Sequence, residues 1–268
     1  MNDLLKKLAF VPKRLTAGIR PMPDFILIGA QKGGSSALYK FISAHPDIKR
    51  AFTKEPRYFS GKYHSKSLAW YRAHFPFKKS SELVGEASPS YCTHPLAPKR
   101  IQEIVPNAKL LFIVRNPVDR AISNYFHSVA IGAEKLGIED AFARPMEKFE
   151  AEYERIKNED GYHSHHYQRF AYLHKGFYAL HLKRWHEFFP KEQILVVENN
   201  ELKLKPQETY SAVCEFLGVK KWELQDFGRH NVGKAKKEAP AQLKNQLREF
   251  FRAPNEEFYE LINKRFNW

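Results

Sequence analysis

The residues best suited to chemistry begin with a short run, Gly29-Ala30-Gln31-Lys32-Gly33-Gly34-Ser35-Ser36, directly after the apolar tetrapeptide Phe25-Ile26-Leu27-Ile28. A strand that ends in a glycine-rich turn and passes into a helix aims several backbone N–H groups, and the positive helix end, at one point. Such a point suits a phosphate. The glycines let the main chain come close to the anion, Ser35 and Ser36 add hydroxyl donors, and Lys32 adds a full charge. Gly29 and Gly34 are spaced as in an ATP-binding loop, but Ser35 stands where that loop requires its lysine. A grip on β- and γ-phosphates through magnesium is poorly served by that change. A plain glycine turn between strand and helix is the bland alternative.

A second anion anchor follows the strongest apolar run, Leu110-Leu111-Phe112-Ile113-Val114. Arg115, at the end of that strand, can grip a phosphate through two parallel N–H donors. Ser123 falls about two turns further on, in the helix that Pro117 opens, where its hydroxyl can face the same anion. Between the anchors lies Ala51-Phe52-Thr53-Lys54-Glu55-Pro56-Arg57-Tyr58-Phe59. Transfer of a group to an alcohol needs an acceptor for the alcohol's proton, and Glu55 is a carboxylate suited to that task. An ion pair with Lys54, Arg57 or Lys32 is its structural alternative. Downstream, Phe227–Lys237 combines glycines and cations without periodicity, as in a loop that closes over an anionic ligand.

Taken together, these segments resemble the PAPS-dependent sulfotransferases (PAPS is 3′-phosphoadenosine 5′-phosphosulfate), in particular the heparan sulfate branch and its bacterial relatives. The resemblance runs from Pro23 to Trp268 and is loosest across Ile131–Lys175. It implies that Lys32, Gly33, Gly34, Ser35 and Ser36 bind the 5′-phosphosulfate end of the donor, with Lys32 also offsetting charge on the leaving phosphate. Arg115 and Ser123 are then expected on the 3′-phosphate. Glu55 is expected as general base, and Arg57, Tyr58, Phe59, Ser88, Pro89 and Tyr91 as acceptor-binding residues. Arg229, Gly233, Lys234, Ala235 and Lys236 are expected in a donor-covering loop.

Three departures from the family pattern stand out. Ala87 and Val232 each replace a lysine, and the cysteine pair that staples the covering loop in heparan enzymes is missing. The reaction implied is transfer of a sulfuryl group from PAPS to a hydroxyl or amine of a carbohydrate-like, glycolipid or small-metabolite acceptor. It leaves adenosine 3′,5′-bisphosphate and needs no metal. The alternative is a phosphotransferase like a nucleoside or sugar kinase with a degenerate P-loop.

The elements that must position these residues are legible as well. Continuous apolar runs at 25–28, 110–114 and 194–197, with a weaker one at 83–85, read as buried parallel strands. Helical patterns cover 36–44, 96–104, 117–129 and 178–188, and two further helices at 241–268 are expected to break near Pro254. Alternating strands and helices predict an α/β, P-loop-like three-layer fold with a central parallel sheet flanked by helices. Residues 1–22 read as an N-terminal extension and 23–268 as a single domain.

The chain carries 21 Phe, 13 Tyr and 4 Trp, the composition of a folded protein, and a net charge of +14 that favours anionic partners. No nucleic-acid recognition motif accompanies that charge, so a nucleic-acid partner is not expected. Cys92 and Cys214 sit in apolar surroundings without zinc-site spacing, and His163-Ser164-His165-His166 reads as a solvated polar run rather than a metal site. No stretch is long and apolar enough to span a bilayer. Met1–Arg20, with Lys6, Lys7, Lys13, Arg14 and Arg20 among short apolar pieces, lacks a secretory pattern but leaves a weak amphipathic surface contact open. A cytoplasmic location is the expectation, although a lumenal domain cut from its anchor would read the same.

Overall fold

The structure is a computed structural model that describes residues 12–159, 161–224 and 238–268. Five parallel strands form the centre: β1 (Phe25–Gly29), β2 (Ile48–Arg50), β3 (Leu83–Ala87), β4 (Lys109–Val114) and β5 (Ile194–Glu198), in the order β2-β3-β1-β4-β5. Successive side chains along each strand feed two different cores. Ile26, Ile28, Val84, Leu110, Phe112 and Val114 pack on one face, whereas Phe25, Leu27, Leu111, Ile113 and Val197 pack on the other. Two covered faces explain why these strands read as unbroken apolar runs instead of alternating ones. Each such side chain, fully buried, contributes about 1.5–3 kcal/mol.

The helices that cover the sheet include four read from periodicity: α1 (Ser35–Ile42), α3 (Ala97–Ile104), α4 (Pro117–Ala130) and α8 (Tyr178–His186). Helix α1 joins α10 (Pro206–Leu217) over one face; α3, α8 and α12 (Arg252–Ile262) cover the other. The expected three-layer α/β arrangement is the one observed. Helices α2 (Leu68–Arg72), α5 (Ile138–Phe142), α6 (Met146–Asn158), α7 (His165–Phe170), α9 (Asn199–Leu204) and α11 (Ala241–Phe250) are also present, and residues 12–15 are helical as well.

One boundary moves. The C-terminal pair breaks at Phe251, not near Pro254, which sits in the first turn of α12. A proline is tolerated there because first-turn N–H groups have no partner within the helix. Fully buried Phe251 fills the joint against Gly176, where a Cβ would come within 2.8 Å of its ring.

The connection from β1 returns at β2, at the sheet edge beyond β3, and the chain then crosses to β4 on the other side of β1. Strand order therefore reverses at β1, and the crevice at the ends of β1, β3 and β4 is where such sheets take ligands.

Candidate functional site

The glycine-rich run is the turn between β1 and α1. Its Ala30 N–H donates to the Ile113 carbonyl (2.6 Å) and its Gly33 N–H to the Ala30 carbonyl (2.9 Å), so the turn folds back tightly on β4. A Cβ on Gly33 would lie 2.7 Å from the Ile113 oxygen. Gly34, with φ at +110°, caps α1, and a Cβ there would lie 2.2 Å from the side-chain nitrogen of Asn199. That Asn199 amide donates to the Gly33 carbonyl at 2.9 Å. The loop is thus clamped from β4 and from the end of β5.

Cations converge on this loop. Lys32 is half-buried, and its ammonium is held below the usual lysine range by desolvation first, then by the nearby charges of Arg115 and Lys54. Lys54 Nζ donates to the Ser36 hydroxyl at 2.5 Å, which draws the segment after β2 onto the start of α1. Arg115 leaves the end of β4 with its carbonyl accepting from Tyr178 Oη (2.7 Å), and its ion pair with Asp119, at 3.5 Å, is long. Its Nε is buried with no partner among the described residues. Like charges held together this way favour an anion between them. Ser123 stands half-buried one turn deeper in α4, whose first turn Asn116 caps by accepting from the N–H groups of Val118 and Asp119.

Glu55 lies beside this cluster. Its backbone (φ +60°) and that of Arg57 (φ +55°) occupy the left-handed region, and the bend is held by two bonds to the end of β3. Glu55 N–H donates to the Ala87 carbonyl at 3.1 Å, and Arg57 N–H to Ser88 Oγ at 3.2 Å. The Arg57 guanidinium grips Glu55 Oε2 at 2.5 and 3.1 Å, whereas Oε1 meets Lys54 at a longer 3.5 Å. The ion pairs weighed for Glu55 against a catalytic role therefore exist, with Arg57 and Lys54. Of the two carboxylate oxygens, Oε1 carries only the longer of these contacts.

Both Glu55 and Arg57 open onto a cleft of about 200 Å³, walled also by Gln31, Pro89, His127 and Lys175. Lys175 is almost wholly buried; its ammonium donates to Gln31 Oε1 (3.1 Å) and the Gln168 carbonyl (2.6 Å), and burial followed by the charge of Arg120 brings its pKa down to about 7. A second hollow of about 280 Å³ opens between Asn116 and the C-terminal helices. Its Arg252 is paired with Glu249, and Glu55 lies elsewhere.

Four residues expected to contact an acceptor are not on the cleft wall. Tyr58, Phe59, Ser88 and Tyr91 are buried. Tyr58 stacks on Tyr71 at 4.6 Å, and Phe59 meets Tyr71 and Tyr91 edge-on. Among the hydroxyls here, Tyr71 Oη (2.7 Å) and Tyr91 Oη (3.0 Å) donate to Glu86 Oε1 and Ser88 Oγ (2.6 Å) to Oε2, whereas Tyr58 Oη donates to the Lys66 carbonyl at 3.2 Å. Desolvation raises Glu86 to about 7 against the lowering pull of these bonds. Arg57 and Pro89 do line the cleft. Arg229, Gly233, Lys234, Ala235 and Lys236 lie outside the described residues.

Sequence reasoning did not single out Asn199, Glu86 as a buried acid, or Lys175. A polar pair at the end of an apolar strand, as in Val197-Glu198-Asn199, and an acid inside one, as in Val84-Gly85-Glu86-Ala87, were the available signals. The histidine run has a local explanation: Ser164 accepts from the Tyr167 N–H at 2.9 Å and caps α7. Cys92 and Cys214 are both buried and free.

The sequence profile described as "Sulfotransferase domain" matches residues 22–262. Mouse heparan sulfate glucosamine 3-O-sulfotransferase 3B1 is 32% identical over 94% of this chain and 66% of its own length. The human enzyme numbered 6 in that series is 29% identical over 94% of this chain and 75% of its own length. The chain thus spans about two thirds of the first of these relatives. A crystal structure of a sulfotransferase from Alicyclobacillus acidocaldarius superposes with a TM-score of 0.74 at 28% identity, covering 92% of this chain and 98% of that one.

Proposed function

The chain belongs to the sulfotransferase family, and from that premise we propose that it moves a sulfuryl group from PAPS to a hydroxyl or amine of a saccharide-type acceptor. The observation that carries this reading is the convergence of Lys32, Lys54 and Arg115 on a clamped glycine loop, with the carboxylate of Glu55 on the cleft beside it. The loop amides and Lys32 take the 5′-phosphosulfate end of the donor. Arg115, with a buried Nε that lacks a partner among the described residues, and Ser123 take the 3′-phosphate.

In the transfer, the acceptor oxygen attacks sulfur in line with the departing phosphate. The new S–O bond forms as the old one breaks, and adenosine 3′,5′-bisphosphate leaves. Glu55 Oε1 takes the acceptor's proton, while Arg57 holds Oε2 and so fixes the carboxylate plane. Lys32 and the loop amides offset the negative charge that grows on the leaving phosphate. Positioning and preset charge supply the catalysis, as they do in phosphoryl transfer.

A saccharide-type acceptor is supported by the named activities of the heparan sulfate relatives. Against a fully heparan-like acceptor, Ala87 is fully buried at the position where those enzymes are expected to present a lysine. Calorimetric titration tests the donor reading: adenosine 3′,5′-bisphosphate should bind without magnesium, and more tightly than ATP with magnesium. The reverse order would return the chain to the kinase reading.

A further inference from the structure

Four large apolar side chains stand in solvent at one corner of the described structure. Leu15 is 84% exposed, Ile19 75%, Phe52 47% and Phe77 50%. Cations tie Phe52 and Phe77 to the segment that carries Leu15 and Ile19. Lys13 Nζ sits 3.8 Å over the Phe52 ring, and the Arg20 guanidinium lies 5.6 Å from the centre of Phe52 and 4.5 Å from that of Phe77. Arg20 is fixed in turn, donating to the Phe75 carbonyl and accepting at its own carbonyl from Arg72 Nε, both at 2.8 Å. The segment Pro12–Pro23 holds Lys13, Arg14 and Arg20 and no acidic residue, and the Asp24 that follows is occupied by Lys78 at 2.7 Å. The corner has an apolar centre and a cationic rim.

We propose that this corner docks on an anionic lipid bilayer, with the four apolar side chains entering the headgroup region and the cations meeting lipid phosphates. Apolar anchors and clustered Lys/Arg reinforce one another at such an interface. Charge complementarity favours lipid over an apolar protein surface. Lys13 lies against the Phe52 ring and exposed Arg14 follows it in sequence, so a dry protein interface would have to desolvate both along with Phe52 and Phe77, whereas Arg20 is already buried and serves to prop the two rings. A bilayer surface pairs those cations while the rings insert. Phe52 precedes Glu55 by three residues, at most about 10 Å of chain. Docking would therefore bring the acceptor cleft close to the bilayer surface and favour acceptors anchored there, such as the head group of a glycolipid.

The test is co-sedimentation of the full chain with vesicles of equal phosphatidylglycerol and phosphatidylcholine, compared with phosphatidylcholine alone. Binding to the anionic vesicles should exceed binding to the neutral ones and weaken as salt rises. The variant L15E/I19E should lower it roughly tenfold or more, with melting temperature and adenosine 3′,5′-bisphosphate affinity unchanged. The variant K13E/R14E should also lose the preference for anionic vesicles. Equal binding to both vesicle types, or wild-type binding by L15E/I19E, would overturn the proposal. So would a dimer in vesicle-free buffer that L15E/I19E dissociates, which would give the corner to a second copy of the chain. Loss of nucleotide binding alongside intact vesicle binding would sink the sulfuryl-transfer reading and leave the docking standing.

Discussion

Replacing Glu86 with glutamine should make the protein's stability respond differently to pH, in a direction that the burial dictates. The carboxylate is fully buried, and its pKa rises from 4.5 to about 7 chiefly through desolvation. Between those values the folded chain holds a proton that the unfolded chain has released, so stability falls as pH rises through the window. At about 1.4 kcal/mol per unit, the loss between pH 5 and pH 8 is about 3 kcal/mol. The substituted side chain keeps an oxygen for Tyr71 and Tyr91, but its amide nitrogen meets Ser88 Oγ, which already accepts from Arg57 N–H. Ser88 must then turn its hydrogen away, at a pH-independent cost of about 1 kcal/mol. Relative to wild type, the E86Q protein should therefore gain about 3 kcal/mol of stability between pH 5 and pH 8. His94, His174 and Lys175, with pKa values lowered to about 3, 4 and 7, titrate too, but they are common to both proteins and drop out of the difference. Urea unfolding followed by circular dichroism at the two pH values measures it. A difference that stays constant within about 1 kcal/mol would show that Glu86 is not desolvated as described.

Other substitutions test the site directly. Glu55→Gln should cut turnover roughly 10²–10⁴-fold while leaving adenosine 3′,5′-bisphosphate affinity intact; unchanged turnover would remove Glu55 as the base. Arg115→Ala should weaken adenosine 3′,5′-bisphosphate roughly 10–100-fold and adenosine 5′-phosphosulfate far less, and equal losses in the two titrations would refute the 3′-phosphate assignment. Gly34→Ala combines a left-handed backbone with displacement of the Asn199 amide, and should cost about 2–4 kcal/mol in denaturant unfolding. A cost under about 0.5 kcal/mol would mean that the loop relaxes freely.

The central strands were readable because burial on both faces writes an unbroken apolar run, as in Leu110–Val114. Strand β2 was not, because Ile48-Lys49-Arg50 is a three-residue edge with one buried side chain. The glycine loop announced itself through the spacing of its glycines, a pattern local in sequence, although the atoms that crowd a Cβ at Gly33 and Gly34 belong to distant Ile113 and Asn199. The clamp on that loop was invisible, since Asn199 reaches Gly33 across 166 positions. The same limit explains the misplaced acceptor contacts. Tyr58, Phe59, Ser88 and Tyr91 flank residues that do face the cleft, and only the packing around Glu86 reveals that their own side chains turn the other way. Helices α5 to α7 fall in the stretch where the family likeness is loosest, and α5 and α7 span only five and six residues.

The position of Glu55 follows from the sheet rather than from its own loop. Two left-handed non-glycine residues so close together cost on the order of 1–3 kcal/mol each, and isolated they would relax. They persist because Glu55 N–H and Arg57 N–H are both satisfied at the end of β3, by Ala87 and by Ser88. Ser88 is aimed by Glu86, and Ala87 is in register with Leu27 of β1, two residues before the phosphate loop begins. A path of hydrogen bonds therefore joins Glu55, the proposed base, to the glycine loop. Any displacement of β3 against β1 would move Glu55 and the glycine loop out of line at once, so in the proposed transfer the sheet register sets the distance between base and donor.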